Sequence, residues 1–565
     1  MKFLSSIYYP KLISSLKGYT RDQFVKDLIA GVIVAIIALP LSIALAISSN
    51  VPPERGIYTA IIAGFLISAL GGSRVQIGGP TAAFMAIVFG VVAEFGFDGL
   101  VIATFMSGIM LVLFGLFKLG SIIKFIPYTI TTGFTSGIAV AIFTSQIKDF
   151  LGLTTPDMPG EFIGKWELII ANITTIKWPV VMIGAIALAI MILWPKVTKK
   201  IPGALIALIV TAALVKIFNL DVPTIGTKYQ ELSSALPTLA IPNITWEKVT
   251  KLIEPAFTIA FLGGVESLLS AVVADGMIGS KHRSNTELIG EGIANMGSAL
   301  FGGIPATGAI ARTVANIKNG GRTPVAGIVH SVTLLLILVL FMHLAKMIPL
   351  TSLAAVLLIV AYNMSEWREF VALFKSPKSD ILVLLLTFLL TVFFDLTLAI
   401  EVGIVVAALL FMKRMADVSE VKVRNMDAGE ESSENVEGED NEQLPKTKIF
   451  EHVLIYEING PFFFGAADKF LDVLGEVGDK TEILIIKMKH VPAMDATALH
   501  AFERMIKLCK KKKIRVLLTG LQDQPQQALE KAKILSEIGE EHLFTGLSGA
   551  ISFVEGQSQP VGATA

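Results

Sequence analysis

The sequence predicts a polytopic α-helical membrane protein of fourteen transmembrane segments, arranged as two inverted repeats of seven, with a small cytoplasmic α/β domain after them. Three observations carry that prediction. Hydrophobic residues make up 53% of the 565-residue chain, charged residues only 17%, and the mean hydropathy is +0.68; a soluble protein of this length needs more charge to cover its surface. Long apolar stretches recur from Leu28 to Met412 and then stop. Two of these stretches are broken by Gly and Pro at matching places in the two halves.

A helix needs ~20 apolar residues to cross ~30 Å of hydrocarbon. Such stretches lie near 28–48, 56–71, 99–118, 121–146, 168–194, 201–220, 254–275, 286–301, 323–346, 350–364, 379–395 and 396–413. Two more, 75–95 and 303–318, are apolar but interrupted, and they bring the expected count to fourteen. The chain divides accordingly. Residues 1–27 form a retained basic N-terminal segment, and 28–413 a transport domain with repeats near 28–220 and 254–413. An acidic linker follows at 414–448, then a folded domain at 449–556 and a tail at 557–565.

Short-loop Lys and Arg set orientation. Loops after even-numbered segments hold Arg74, Lys118, Lys124, Lys196, Lys199, Lys200, Lys281, Arg283, Lys318, Arg322, Arg368 and Lys375, and the opposite loops are poorer in them. Both termini are therefore expected in the cytoplasm, as an even count requires, with the protein in the inner (plasma) membrane. The net charge is zero, so no nucleic-acid partner is implied. The single Cys509 excludes a disulfide framework and thiolate metal sites. Neither a phosphate-binding loop, a His-rich metal set nor a Ser/His/Asp array is present, so no enzyme, cofactor or metal is expected.

The broken segments carry the chemistry. The first reads Gly71-Gly-Ser-Arg-Val-Gln-Ile-Gly-Gly-Pro-Thr-Ala-Ala-Phe84, the second Phe301-Gly-Gly-Ile-Pro-Ala-Thr-Gly-Ala-Ile-Ala-Arg-Thr313. Pro is favoured in a first helical turn, so helices are expected to begin near Pro80 and Pro305. Irregular backbone at membrane depth is tolerated only where protein or a cavity shields it, and matched broken segments point to a transporter's site. Because seven is odd, the second half is inverted, and two half-helix N-termini face each other near the midplane. Each offers free N–H donors and roughly +0.5 charge. The expected anion site is Pro80, Thr81, Ala82, Ala306, Thr307, Gly308 and Ala309, with Arg312 about two turns into the second half-helix.

Glu266 lies mid-way along the eighth segment. A carboxylate in hydrocarbon is costly and marks function by default; it suits a proton site, or a cation site with Ser270 one turn on. A purely structural Glu266–Arg312 ion pair is the competing reading, compatible with the first. Glu287 and Glu291 are expected as surface charges or gating contacts, and Asp395 and Glu401 in a solvated turn.

The residues Gly72-Ser-Arg74 to Pro80-Thr81, Gly264-Val-Glu-Ser-Leu-Leu-Ser270, Asp275-Gly276, Lys281-His-Arg-Ser-Asn285 and Gly302 to Arg312 resemble the SulP family of anion permeases and exchangers, in a bacterial-type member. The resemblance implies core and gate domains, an anion between segments three and ten, elevator-like movement and a homodimer. It also implies substrates among sulfate, bicarbonate, chloride, oxalate and dicarboxylates. Sodium-coupled bicarbonate members carry Asp and Thr where Glu266 and Ser270 stand, which favours proton coupling here. A sodium-coupled bicarbonate symporter and an uncoupled exchanger or channel remain the alternatives.

The acidic stretch Asp427–Glu442 lacks core-forming residues and reads as a tether. Beyond it, apolar strands at 452–458, 482–488 and 515–520 alternate with helical stretches around 466–476, 495–511 and 524–538. This pattern, with Val491-Pro-Ala-Met-Asp-Ala-Thr-Ala498, resembles a STAS domain. Thr497 matches the hydroxyl phosphorylated in anti-sigma antagonists, which makes it a candidate regulatory residue for a cytosolic partner.

Overall fold

The computed structural model describes residues 8–121, 127–156, 158–198, 201–229, 234–239, 242, 245–394, 396–418, 420–425, 452–463 and 481–557. Two compact units divide at Val405–Val406.

In the first unit the helices of nine or more residues are α1 (Arg21–Ser48), α2 (Pro53–Leu70), α3 (Met85–Leu116), α4 (Tyr128–Leu151), α5 (Phe162–Ala171), α6 (Trp178–Val197), α7 (Gly203–Ile217), α8 (Trp246–Ile278), α9 (Ser284–Leu300), α10 (Ile310–Lys318), α11 (Val325–Ala345), α12 (Leu350–Met364), α13 (Lys378–Phe393) and α14 (Leu396–Val418), the last running past the unit boundary; Lys11–Ser15, Ile225–Lys228 and Trp367–Ala372 are shorter helices left unnumbered. Among the described residues seven helices are long and apolar enough to span a bilayer on their own. On α6 and α11 the apolar side chains Met182, Ile192, Leu193, Leu336, Leu340 and Phe341 are exposed. That is the arrangement lipid demands, since no water is there to be avoided.

Several boundaries differ from expectation for local reasons. The stretch 168–194 is two helices, because the chain turns between Ala171 and Trp178 and restarts with Pro179 in the first turn of α6. The first broken segment and its successor merge into α3, which bends at Gly96, where φ is 70°. Such a φ strains any residue with a Cβ.

The helices pack as two groups. α9 lies between α3, α2 and α8, while α11 lies on α1 and α2. In the other group α12 packs on α4 and α6, α13 on α4, and α7 on α6. Close approach rests on small residues: a Cβ on Gly108 or Gly292 would meet the other's helix backbone at 2.5–2.6 Å.

The second unit contains a five-stranded sheet in the order β3 (Glu420–Asn425), β4 (Val453–Asn459), β5 (Ile483–His490), β6 (Arg515–Thr519), β7 (Leu543–Phe544), numbered after the pair β1 and β2 described below. β3 runs antiparallel to β4 and the rest are parallel. β3 comes from the stretch expected to be linker, so that stretch contributes to the fold before its acidic part; Asp427–Glu442 and the expected helix at 466–476 lie outside the described residues. Helix α15 (Ala496–Lys512) buries Ala498, Ala501, Phe502, Met505, Ile506 and Cys509 against the sheet. Burial pushes the Cys509 thiol up to about 11, which leaves it an inert apolar filler rather than a nucleophile.

Candidate anion and coupling site

The two broken segments meet. Gly78–Gly79 (β1) pairs antiparallel with Thr307–Gly308 (β2), Gly78 opposite Gly308 and Gly79 opposite Thr307. The Ala309 N–H extends the ladder to the Ile77 carbonyl at 2.9 Å. The crossing explains the glycines. A Cβ on Gly79 would overlap the Arg312 guanidinium, and one on Gly308 would overlap the Gln76 amide.

The half-helices therefore begin later than their prolines suggest. The first opens as a 3-10 turn over Ala82–Phe84 with Thr81 at its N-cap, and the second begins at Ile310. Pro305 lies five residues upstream, in extended backbone. Pairing across the crossing, not a prolyl first turn, supplies partners for this backbone at membrane depth. Arg312 is consequently the third residue of its helix, in the first turn rather than two turns in.

The eight expected anion-site residues are brought together and all are buried: Pro80, Thr81, Ala82, Ala306, Thr307, Gly308, Ala309 and Arg312. Thr307 donates its hydroxyl to the Gly263 carbonyl at 2.9 Å. Arg312 turns back over the crossing, donating to the Pro80 carbonyl at 3.0 Å and the Ser42 hydroxyl at 3.3 Å. Its other terminal nitrogen, Nη1, is buried without a partner. An unpaired guanidinium nitrogen beside two helix N-termini is a strong anion attractor.

Glu266 is half-buried on α8 and accepts from the Thr81 hydroxyl at 2.9 Å. The expected ion pair is not formed: among the described residues no acidic oxygen lies within 4.0 Å of Arg312. Both charges reach the same turn instead, Arg312 at Pro80 and Glu266 at Thr81. Ser270, one turn on from Glu266 and buried, donates to the Thr313 hydroxyl at 3.3 Å.

Sequence reasoning missed what holds the crossing from behind. Glu287, Glu291 and Asn295 recur every fourth residue on α9, hence on one face, and all are buried, contrary to the surface position expected for the two acids. Glu287 accepts from the Gly72 and Ser73 N–H groups at 2.6 and 2.7 Å. Asn295 holds Ala306 by both its backbone groups at 2.8 Å. Gln76 donates to Ser267 at 2.6 Å, and Asn316 to the Val75 carbonyl at 2.8 Å. The four-residue spacing was visible in the sequence; the partners, more than 200 residues away for Glu287, were not.

A cavity of about 400 Å³ lies between α3, α4, α8 and α13, lined by Ala86, Ile87, Gly90, Glu94, Lys251 and Thr391 among others. It starts about one turn past the first half-helix start and none of the eight residues lines it. Glu401 is exposed on α14, and Asp395 lies outside the described residues. Thr497 is exposed in the first turn of α15, beside the N-cap Asp495, whose carboxylate accepts from the Ala498 N–H at 2.8 Å. Among the described residues no His/Cys/Asp/Glu group could hold a metal.

Helices for a bilayer, broken at two places that cross with facing N-termini, define a membrane transporter. The chain belongs to the sulfate permease family, whose model matches residues 24–387, and a STAS domain model matches 445–550. It is a transporter of that family and not an enzyme. It is 43% identical to YvdB of Bacillus subtilis over 530 residues, 94% of this chain and 97% of the relative. It is 30% identical to the bicarbonate transporter BicA of Picosynechococcus over 523 residues, 91% of each. Its fold is similar to murine Solute Carrier 26 family member A9, an anion transporter in the inward-facing state (TM-score 0.86, 18% identity, 98% and 95% of the two chains). The BicA transmembrane domain gives a TM-score of 0.61 at 28% identity, over 69% of this chain and 98% of that one.

Proposed function

We propose that the protein is a secondary active, proton-coupled transporter of a small anion of the sulfate, bicarbonate or dicarboxylate class. The anion binds between the half-helix starts, on the first-turn N–H groups from Ala82 and from Ile310, with Thr81, Thr307 and Arg312 around it and Ala306, Gly308 and Ala309 shaping the turn. The observation that carries this reading is the buried, unpartnered Arg312 Nη1 at the β1–β2 crossing. A guanidinium with one buried nitrogen unpaired, set at two positive helix ends, calls for an anion.

Glu266 is the coupling group. Its bond to Thr81 ties a protonatable carboxyl to the first half-helix start, so its protonation state alters the anion's own surroundings. Glu266 and Ser270 stand where sodium-coupled bicarbonate members carry Asp and Thr, which favours a proton. Sodium-coupled bicarbonate transport is the second reading, its substrate favoured by the likeness to the bicarbonate transporter BicA; uncoupled exchange is the third. The frame is fourteen segments in two inverted repeats, split into core and gate and moving as an elevator within a homodimer. It sits in the inner membrane with both termini cytoplasmic, and the STAS domain takes a cytosolic regulator near Thr497.

Counterflow of labelled sulfate, bicarbonate and dicarboxylates in proteoliposomes, with imposed pH or sodium gradients, tests this. Arg312→Ala should abolish exchange, and Glu266→Gln should keep exchange while losing uphill uptake. Unchanged transport in Arg312→Ala would remove the site, and uphill uptake surviving in Glu266→Gln would remove the coupling role.

A further inference from the structure

The α9 face behind the crossing carries three side chains at successive turns, and only the middle one is without a task. Glu287 grips the chain that leads into β1, and Asn295 grips the chain that leads into β2. Glu291 stands between them, 0% exposed, with neither carboxylate oxygen partnered. One of those oxygens sits 2.8 Å from where a Cβ on Gly263 of α8 would be, so the absence of a side chain there makes room for it.

Its surroundings are rich in acceptors and short of donors. The Gln76 and Glu287 Oε1 atoms are also buried and unpartnered. The neighbouring hydroxyls are those of Ser267 and Thr307. Thr307 already donates to the Gly263 carbonyl, while Ser267 accepts from Gln76 and has a single hydrogen for the several neighbouring oxygens. The ionisable groups facing Glu291 are Glu287 on its own helix and Glu266 on α8, both acidic. On α3 the residues packed against α9 include Gly108, Leu111, Val112 and Gly115, and on α2 they include Ile62, Ala63, Leu66 and Leu70, none of them ionisable. Buried oxygens of this kind need a hydrogen, and an ionised carboxylate here would face two other acids with one shared hydroxyl, that of Ser267, left to donate. A proton on Glu291 turns one acceptor into a donor and removes that charge.

We propose that Glu291 is a second proton-carrying carboxyl of the transport cycle, neutral in the state described here and exchanging its proton as Glu266 does. The inference rests on the proton-coupled reading above and deepens it: two carboxyls, not one, load protons around the anion. With a doubly charged anion such as sulfate, two protons would balance its charge.

The test is the ratio of protons to anions taken up by proteoliposomes, measured with a trapped pH dye and labelled anion. Glu291→Gln is close in shape to the neutral acid. The ratio should fall from about two in the unaltered protein to about one in Glu291→Gln, and the rise of uptake at low external pH should become shallower. An unaltered ratio in Glu291→Gln would overturn the inference while leaving proton coupling through Glu266 intact. An unaltered protein that moves no protons with its anion, or that runs on sodium, would overturn both. Infrared spectra supply a measurement independent of that variant's folding. A protonated-carboxyl band should survive in Glu266→Gln and shift when sulfate is added; if no such band survives, the inference fails.

Discussion

Asn295 is the point at which the site can be loosened without touching the anion. Its Oδ1 accepts from the Ala306 N–H and its Nδ2 donates to the Ala306 carbonyl, both at 2.8 Å. Ala306 is 0% exposed and immediately precedes β2. Asn295→Ala orphans both backbone groups, and each buried, unsatisfied group costs ~1–3 kcal/mol. The amide leaves room for a water that recovers part of this, so a net loss of about 3 kcal/mol is expected on these terms. At ~1.4 kcal/mol per factor of ten, roughly one hundredfold fewer molecules would hold the second broken segment seated. The assay pairs an apparent melting temperature in detergent, with and without sulfate, with the half-saturation of counterflow. The melting temperature should fall, anion should restore part of it, and half-saturation should rise. Asn295→Asp offers the same donor and acceptor only when protonated, so its deficit should shrink as pH falls. A variant Asn295→Ala with wild-type melting and wild-type half-saturation would refute the idea that this clamp shapes the site.

Two further outcomes follow from the packing. Gly308→Ala places a methyl on the Gln76 side chain and should break its bond to Ser267, abolishing uptake by a protein that still elutes as a single species; Gly90→Ala, which meets nothing within 4 Å, is the matched control. In the STAS domain, Asp495→Ala removes the cap on α15 and should cost about 1 kcal/mol. Hydrogen exchange on the full chain would read this as roughly fivefold faster exchange in the first turn of α15.

The parts of the fold legible in the sequence are those set by solvent and by local backbone rules. Lipid demands long apolar runs, so α1, α4, α8 and α11 announce themselves. Gly-Gly followed by Pro announces interrupted helices, and the β1–β2 crossing lies where those interruptions fall. The first half-helix opens two residues past Pro80, but the second starts five past Pro305, because prolyl preference is local while the choice between helix and strand at Thr307–Gly308 depends on pairing with a segment about 230 residues away. The same cause hid Glu287 and Glu291. Beside Lys281 and Arg283 they look like interface charges, and only the arrival of Gly72 and Ser73 makes a buried acid reasonable at position 287.

The crossing also constrains how the protein can work. Each broken segment is held twice: by its partner strand, and from behind by one turn of α9. Thr307 is tied as well to α8, which carries Glu266. The proposed anion donors, the proposed coupling acid and the clamp thus belong to one packed body of α2, α3, α8, α9 and α10, in which a displacement of one member strains the others. A change of protonation at Glu266 therefore acts on Thr81 through a single hydrogen bond, without needing a relay. The proposed elevator motion, in which that body moves whole against the α4–α6–α12–α13 group, keeps the crossing closed, whereas opening the crossing itself would orphan several buried backbone groups at once.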